Sequence, residues 1–215
     1  MPDGRVQSVN VGPVAPMPRR PELRSGIDKV PRPGRVAVGP EGLSGDEHGN
    51  RAVHGGPDKA VYIYSESDYR HWESVLGRPL APGTFGENLT VTAPDGAALR
   101  IGQRLDVGTA TLEVTIPREP CATLGVRMED PGFPTAFLRE GRTGFYTRVI
   151  TTGLVWAGCG IEIGPEPATD NPTIAEVHGV YASTERDPEI LARMIAAHAL
   201  PEDWRDWARE KAARA

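Results

Sequence analysis

Glycine and proline divide the first 164 residues of this chain into short segments. The 215 residues include 25 glycines and 21 prolines, and the apolar runs between them extend over four to seven residues. Short strands separated by turn residues are typical of a β-barrel or a strongly bent sheet, and not of a doubly wound α/β sheet. Strands are predicted over residues 35–38, 60–64, 88–91, 103–107, 110–116, 145–150 and 160–163.

Local patterns support these strands and add two helices. Leu112, Val114 and Ile116 alternate with polar neighbours, as in a half-buried strand, and Gly108 predicts a hairpin before them. A helix is predicted over residues 67–76, where Gly77 ends it. Its apolar stripe consists of Tyr69, Trp72, Val75 and Leu76. A shorter helix is predicted over residues 134–140.

The sequence changes character after residue 164. Residues 164–171 have the composition of a linker, and helices then begin at Asn171-Pro172, Asp187-Pro188 and Leu200-Pro201, each with a capping residue or a proline at its start. The predicted fold class is mainly β with helices (α+β). A β-barrel domain covers residues 1–165, and a small three-helix bundle covers residues 170–215.

Composition excludes several classes of protein. The net charge of −5 argues against nucleic acid as the main partner. Apolar runs stay well below the ~18 residues that span a bilayer, so no membrane partner is expected. Two cysteines do not make a disulfide framework. We expect a cytoplasmic protein.

Cys121 is the residue most suggestive of chemistry. It ends the string Pro117-Arg118-Glu119-Pro120-Cys121 after a predicted strand. Prolines stop the strand, and a nearby guanidinium favours the thiolate, the form that acts as nucleophile or soft-metal ligand. The alternative is that Cys121 is a small buried apolar side chain.

Polar residues stand beside glycines in further clusters, where backbone can approach a ligand closely. Only three lysines occur, at positions 29, 59 and 211, so each can mark a site that needs a compact ammonium. Lys59, Arg142 and Arg148 have the chemistry to hold a phosphate. Glu87 and Asn88 can hydrogen-bond to a heterocycle. Ordinary roles as turn formers and surface charges remain open for all five.

Other patterns are weaker. Asp46, His48 and His54 lack the spacing of a zinc or iron site. Residues 158–164 lack the strand-to-helix context of a dinucleotide loop, which leaves Cys159 a structural role. A hydrolase built on Cys121 and His54 stays open.

Taken together, these clusters resemble a MOSC domain, the family named after the molybdenum cofactor sulfurase C-terminus, and the YiiM-type subgroup in particular. The motifs, in order, are Ser25-Gly26-Ile27-x-Lys29, Gly42-Leu43-x-Gly45-Asp46, His54-Gly55-Gly56-x-Asp58-Lys59-Ala60-Val61, Gly86-Glu87-Asn88-Leu89, Pro117-Arg118-x-Pro120-Cys121 and Gly141-Arg142-x-Gly144-x-Tyr146-x-Arg148-Val149. The tail is similar to the three-helix extension of that subgroup.

The resemblance implies a β-barrel that binds a molybdenum–pterin cofactor and reduces N-hydroxylated compounds, such as hydroxylaminopurine base analogues. It implies Cys121 as the protein ligand to molybdenum and as the catalytic residue. The cofactor-binding residues that it implies, all expected around one cleft, are Lys29, His54, Lys59, Glu87, Asn88, Arg118, Arg142 and Arg148. Gln103 and Cys159 replace the family's usual aspartates, and residues 47–50 also depart from its pattern.

Two cysteines cannot hold an iron–sulfur cluster. We therefore expect a separate reductase, a flavoprotein, to supply the electrons. Two alternatives use the same residues. Cys121 can carry a persulfide as a sulfur-transfer protein, or the chain can bind the cofactor without turnover.

Overall fold

The computed structural model describes residues 1–49 and 55–214. The strands among these residues are β1 (Gly4–Val11), β2 (Ala15–Met17), β3 (Arg20–Ser25), β4 (Val30–Pro31), β5 (Val36–Gly39), β6 (Gly42–Leu43), β7 (Val61–Ser65), β8 (Leu89–Val91), β9 (Arg104–Val107), β10 (Ala110–Pro117), β11 (Phe145–Thr151), β12 (Gly153–Val155) and β13 (Gly160–Ile163). The helices are α1 (Glu66–Leu76), α2 (Ala122–Met128), α3 (Phe133–Glu140), α4 (Ile174–Ala182), α5 (Pro188–Ala196) and α6 (Glu202–Ala212).

Seven strands close into a barrel in the order β13-β9-β10-β11-β7-β8-β1, and β1 pairs back onto β13 with Gly4 opposite Ile161. Neighbours are antiparallel except for β7 and β8, which run parallel. Small sheets and the β2–β3 hairpin surround this barrel. The predicted fold class is therefore confirmed: a β-barrel with helices.

All seven predicted strands occur, each with ends within two residues of the prediction. Strand β1, which closes the barrel, was not predicted. Its inward-facing positions include Ser8 and Asn10, which are buried but polar. The alternation of apolar and polar residues that reveals a strand is therefore broken here.

The core has two parts. Apolar residues of the barrel and of the last three helices form one cluster, which includes Leu112, Val177 and Trp204. A second, aromatic cluster lies between α1, α3 and the barrel and includes Trp72 and Phe137. The predicted stripe of α1 is wrong at Val75, whose side chain is 58% exposed.

The C-terminal helices begin as predicted in two cases. Asp187 caps α5 and Pro201 precedes α6, but α4 begins at Thr173 and not at Asn171-Pro172. Thr173 and Glu176 form a capping box, which satisfies two backbone N–H groups that the predicted cap would leave free. The division into two domains near residue 165 stays a prediction. In the described part of the chain, no helix has both the length and the apolar character to cross a bilayer.

Candidate functional site

A cavity of about 200 Å³ opens among the loops at one end of the barrel. Its walls come from β3 and the segment after it, from β7 and β11, and from the loop after β10. The lining residues in the described ranges are Leu23, Arg24, Ser25, Gly26, Ile27, Lys29, Glu47, His48, Gly49, Tyr62, Gly86, Asn88, Arg118, Cys121, Thr123 and Tyr146. We call this cavity the cleft.

Cys121 lines the cleft and is half-buried. Strand β10 ends at Pro117, four residues earlier, and Cys121 is the N-cap residue of α2, with an extended backbone. Helix α2 was not predicted from the sequence. The thiol is therefore not sealed in the apolar core, and it shares a cavity with Asn88, as the predicted site requires.

Arg118 is the most unusual group in the cleft. It is only 5% exposed, and its guanidinium lies over the rings of Tyr62 and Phe137, at 5.5 and 5.7 Å from their centroids. Within the described residues, its Nε and Nη1 atoms have no hydrogen-bond partner. Because an unpaired buried charge is costly, these donors point to an anion that the protein itself does not supply.

Lys29 is also buried but has a carboxylate partner. Its ammonium donates to Asp46 Oδ1, and the exposed fractions of the two side chains are 6% and 2%. Burial lowers the pKa of Lys29, whereas the negative charge of Asp46 raises it. Asp46 also accepts from the Gly12 N–H at 3.0 Å and from Asn88 Nδ2 at 2.9 Å.

Asn88 and Glu87 are adjacent in sequence but have different surroundings. Asn88 lines the cleft, and its Oδ1 accepts from the Tyr62 N–H at 3.0 Å. Glu87 is wholly buried and does not line the cleft; burial raises its pKa. Its carboxyl group accepts from protein donors, which are Tyr69 Oη, Thr90 Oγ1, Asn10 Nδ2 and the N–H groups of Gly83 and Phe85.

Two predicted phosphate-binding residues lie elsewhere, so their placement around the cleft was wrong. Arg142 pairs with Asp68 at 2.8 Å and lines a different cavity. Arg148 donates to Asp58, Glu113 and the backbone oxygen of Ala199. The side chains that the two arginines contact come from segments distant in sequence, and no local pattern reveals such contacts.

Lys59 does not line the cleft either, and its ammonium lies 3.5 Å from Glu119. His54 lies outside the described residues, and so does the hydrolase arrangement that needs it. The structure thus brings Lys29, Asn88, Arg118 and Cys121 together.

Two tyrosines that were not among the predicted site residues complete the cleft. The rings of Tyr62 and Tyr146 lie 5.1 Å apart. Burial raises the pKa of both phenols. The two stay neutral at physiological pH and provide an aromatic wall of two rings tilted by 38°, with the Tyr62 hydroxyl donating to the Thr143 oxygen at 2.7 Å. Tyr62 directly follows the motif that ends at Val61, and Tyr146 is itself part of a motif. These positions were the signal in the sequence that could have identified them as site residues.

The weaker patterns resolve as structural features. In the ranges 1–49 and 55–214, no group of three His, Cys, Asp or Glu residues is placed to hold a metal. Cys159 is 3% exposed, and burial raises its pKa. Gln103 accepts from the Arg100 N–H and donates to the Gly164 oxygen, so it stabilises a turn.

Comparison with known proteins decides the family. Residues 50–162 match the MOSC domain, and a Bacillus subtilis relative, the uncharacterized protein YflK, is 31% identical over 86% of this chain and 83% of its own. The chain belongs to the MOSC domain family. Escherichia coli YiiM is 27% identical to this MOSC protein over 84% of the chain and 81% of YiiM.

Solved structures agree with this assignment. YiiM from Geobacillus stearothermophilus superimposes with a TM-score of 0.81 at 28% identity, covering 97% of this chain and 99% of that one. Escherichia coli YiiM shares the fold, with a TM-score of 0.76 at 22% identity. The superposition covers 98% of this chain and 93% of that one. A Gibberella moniliformis protein named "Reductase" is 34% identical over 68% of this MOSC protein, which spans 27% of that longer protein.

Proposed function

We propose that this MOSC protein is a molybdenum-cofactor-dependent reductase of small N-hydroxylated compounds. Cys121 is the protein ligand to molybdenum in this proposal. The observation that carries it is the buried guanidinium of Arg118, two of whose nitrogen atoms have no partner among the described residues, in the same cleft as the Cys121 thiol. A soft-metal ligand beside a buried cation is what an anionic metal–pterin cofactor needs.

The residues of the cleft fit such a cofactor. Arg118 and Lys29 place a guanidinium and an ammonium at the same cavity, where both can attract a phosphate or another oxyanion. Cys121 is accessible from the cavity. Tyr62 and Tyr146 supply aromatic rings against which a ring system can pack. These five residues would hold the cofactor and the substrate.

The chemistry that a bound molybdenum–pterin cofactor supplies is removal of oxygen from an N–OH group, with two electrons and two protons consumed and N–H and water formed. The chain orients the reactants and provides hydrogen-bond donors. Electrons come from a separate reductase protein, a flavoprotein in this proposal. The relative named "Reductase" supports a redox role for this domain.

Molybdenum content and activity of a Cys121 variant test the proposal. Wild-type protein and Cys121→Ser are produced in cells that make the cofactor, and Cys159→Ser serves as the matched control thiol. We expect stoichiometric molybdenum and reduction of a hydroxylaminopurine, with an artificial electron donor, in the wild type and in Cys159→Ser. Both should be lost in Cys121→Ser, because serine is a poor ligand for a soft metal.

Other results would favour the two alternatives. A metal-free wild type that carries a persulfide on Cys121 would identify a sulfur-transfer protein. Bound molybdenum without turnover would identify a cofactor-binding module. Full activity in Cys121→Ser would refute the assignment of the metal ligand.

A further inference from the structure

Asp46 joins three separate segments of the chain at the cleft. Its Oδ1 atom accepts from the Lys29 ammonium and from the Gly12 N–H, and its Oδ2 atom accepts from Asn88 Nδ2. Gly12 follows β1, Lys29 follows the β2–β3 hairpin, and Asn88 precedes β8. One carboxylate therefore fixes two residues that line the cleft, although Asp46 itself does not line it.

The segments beside Asp46 approach each other closely at Gly12 and Gly26, although Asp46 also lines a second cavity. A Cβ atom on Gly12 would lie 2.8 Å from the Asp28 oxygen, and one on Gly26 would lie 1.9 Å from the Glu47 oxygen. The Glu47 N–H also donates to the Gly12 oxygen at 3.0 Å. Segments that approach this closely hold the carboxylate in a fixed place relative to both partners.

We propose that Asp46 is a positioning residue, which keeps the Lys29 ammonium charged and aimed into the cleft for an anionic group of the ligand. The inference rests on the proposed function for the identity of that ligand. It assigns a role to Asp46, which was not among the predicted site residues and occurs in the motif Gly42-Leu43-x-Gly45-Asp46.

The electrostatic surroundings of Lys29 agree with this role. Burial favours the neutral amine and lowers the pKa of Lys29, while the charges of Asp46 and, less strongly, Glu87 oppose that effect. The other titratable or charged groups that face the same cavity are Arg24, Glu47, His48, Tyr62, Arg118, Cys121 and Tyr146. Among the described residues, Asp46 is the one acceptor that forms a hydrogen bond with the Lys29 ammonium.

The small number of lysines makes a direct test possible. Full-length protein labelled with [ε-13C]lysine gives three side-chain signals, assigned through Lys59→Arg and Lys211→Arg. We expect the Lys29 titration midpoint to fall by about 1–3 pH units in Asp46→Asn, because the countercharge is lost. Asp28→Asn is the matched control: Asp28 adjoins Lys29 in sequence but pairs with Arg127 at 2.6 Å, so its removal should leave the midpoint unchanged.

An unchanged Lys29 midpoint in folded Asp46→Asn would overturn the inference. Should Asp46→Asn fail to fold, Asp46→Asn/Lys29→Met is measured in its place. Recovery of the fold in this double variant supports the pairing, whereas continued failure to fold shows that Asp46 acts independently of Lys29 and contradicts it.

Molybdenum content provides the second readout. In protein from cofactor-producing cells, we expect Asp46→Asn to retain about tenfold less molybdenum than Asp28→Asn. Equal retention contradicts the positioning role. The two proposals fail differently: wild-type protein without molybdenum refutes the proposed function, but the lysine titration does not depend on the cofactor.

Discussion

Lys29 and Arg118 are both more than nine-tenths buried at one cavity, yet their surroundings differ completely. Lys29 has a carboxylate partner that is itself tied to two other segments. Arg118 has two aromatic rings and, among the described residues, two unpaired donors. The first arrangement stabilises the fold by itself. The second becomes favourable when an anion arrives from outside the chain.

Arginines elsewhere in the molecule sharpen this contrast. Arg148 has partners from three segments, and Arg142 has a buried carboxylate. The protein thus supplies acceptors even to arginine side chains that are 24% (Arg148) and 44% (Arg142) exposed. An unpaired, buried guanidinium is therefore a better indicator of a ligand than the presence of arginine in a motif.

The largest effect on stability is expected at Lys29. Lys29→Met leaves Asp46 buried without its cation, and the free energy of unfolding should fall by about 3–5 kcal/mol. Urea denaturation followed by tryptophan fluorescence measures it. Lys211→Met, which removes a lysine that pairs with Glu210 at 3.6 Å on α6, is the control. A loss no greater than in the control would show that the buried pair contributes nothing.

A smaller loss is expected at Arg148. Arg148→Met removes hydrogen bonds to three partners, and unfolding free energy should fall by about 1–3 kcal/mol. Arg104→Met is the matched control for Arg148→Met, because Arg104 also pairs with Glu113 but its side chain is 60% exposed. Molybdenum content should stay at the wild-type level in Arg148→Met. A specific loss of molybdenum would return Arg148 to the cofactor site.

The pair of Arg193 and Glu176, whose side chains are 18% and 32% exposed, should contribute least among these paired charges. The hydrogen bond from Arg193 lowers the pKa of Glu176 from 4.5 to about 2. A carboxyl with a lowered pKa in the folded state stabilises the protein above pH 4.5, and that contribution is lost as pH falls from 4.5 to about 2. Solvent screening keeps it below about 1 kcal/mol.

Thermal unfolding between pH 7 and pH 2 tests this sign. Glu176→Gln should melt slightly below the wild type at pH 7, and the two curves should meet near pH 2. A gap that widens at low pH would contradict the direction of the shift.

No loss of stability is expected at Arg118. Arg118→Met removes an uncompensated buried charge and keeps an apolar side chain against Tyr62 and Phe137. Its unfolding free energy should equal or exceed that of the wild type in metal-free protein. Retention of molybdenum should fall about 10–100-fold. A large loss of stability in Arg118→Met, with molybdenum retained as in the wild type, would show that Arg118 stabilises the fold and does not hold the ligand.

The barrel was largely predictable because most of its strands have a recognisable local sequence pattern. Residues 110–116 alternate, Gly108 has a positive φ of 61° at the predicted turn, and Gly77 ends α1 as expected. Strand β1 was missed because two of its inward positions, Ser8 and Asn10, are polar. Their buried hydrogen bonds run to each other and to Glu87 and Thr90, and sequence does not show such long-range partners.

The site was predictable in part for the same reason. Motif residues indicated Lys29, Asn88, Arg118 and Cys121, which do share a cavity. The motifs also contain Glu87, Arg142 and Arg148, which bind other parts of the protein. Residue type and spacing do not distinguish a group that holds a ligand from one that holds the fold. Only the positions of distant acceptors, such as Asp58 and Asp68, make that distinction.

The pairing of β1 with β13 has a consequence during synthesis of the chain. Strand β1, Gly4–Val11, leaves the ribosome long before β13, and it cannot complete its hydrogen bonds until residues 160–163 have also emerged. At about 5–20 residues per second, that wait lasts on the order of ten seconds or more. During this time β1 presents an unpaired edge, which can pair with other chains. Its exposed Arg5, and Ser8 and Asn10 in place of apolar residues, reduce its tendency to aggregate before the barrel closes.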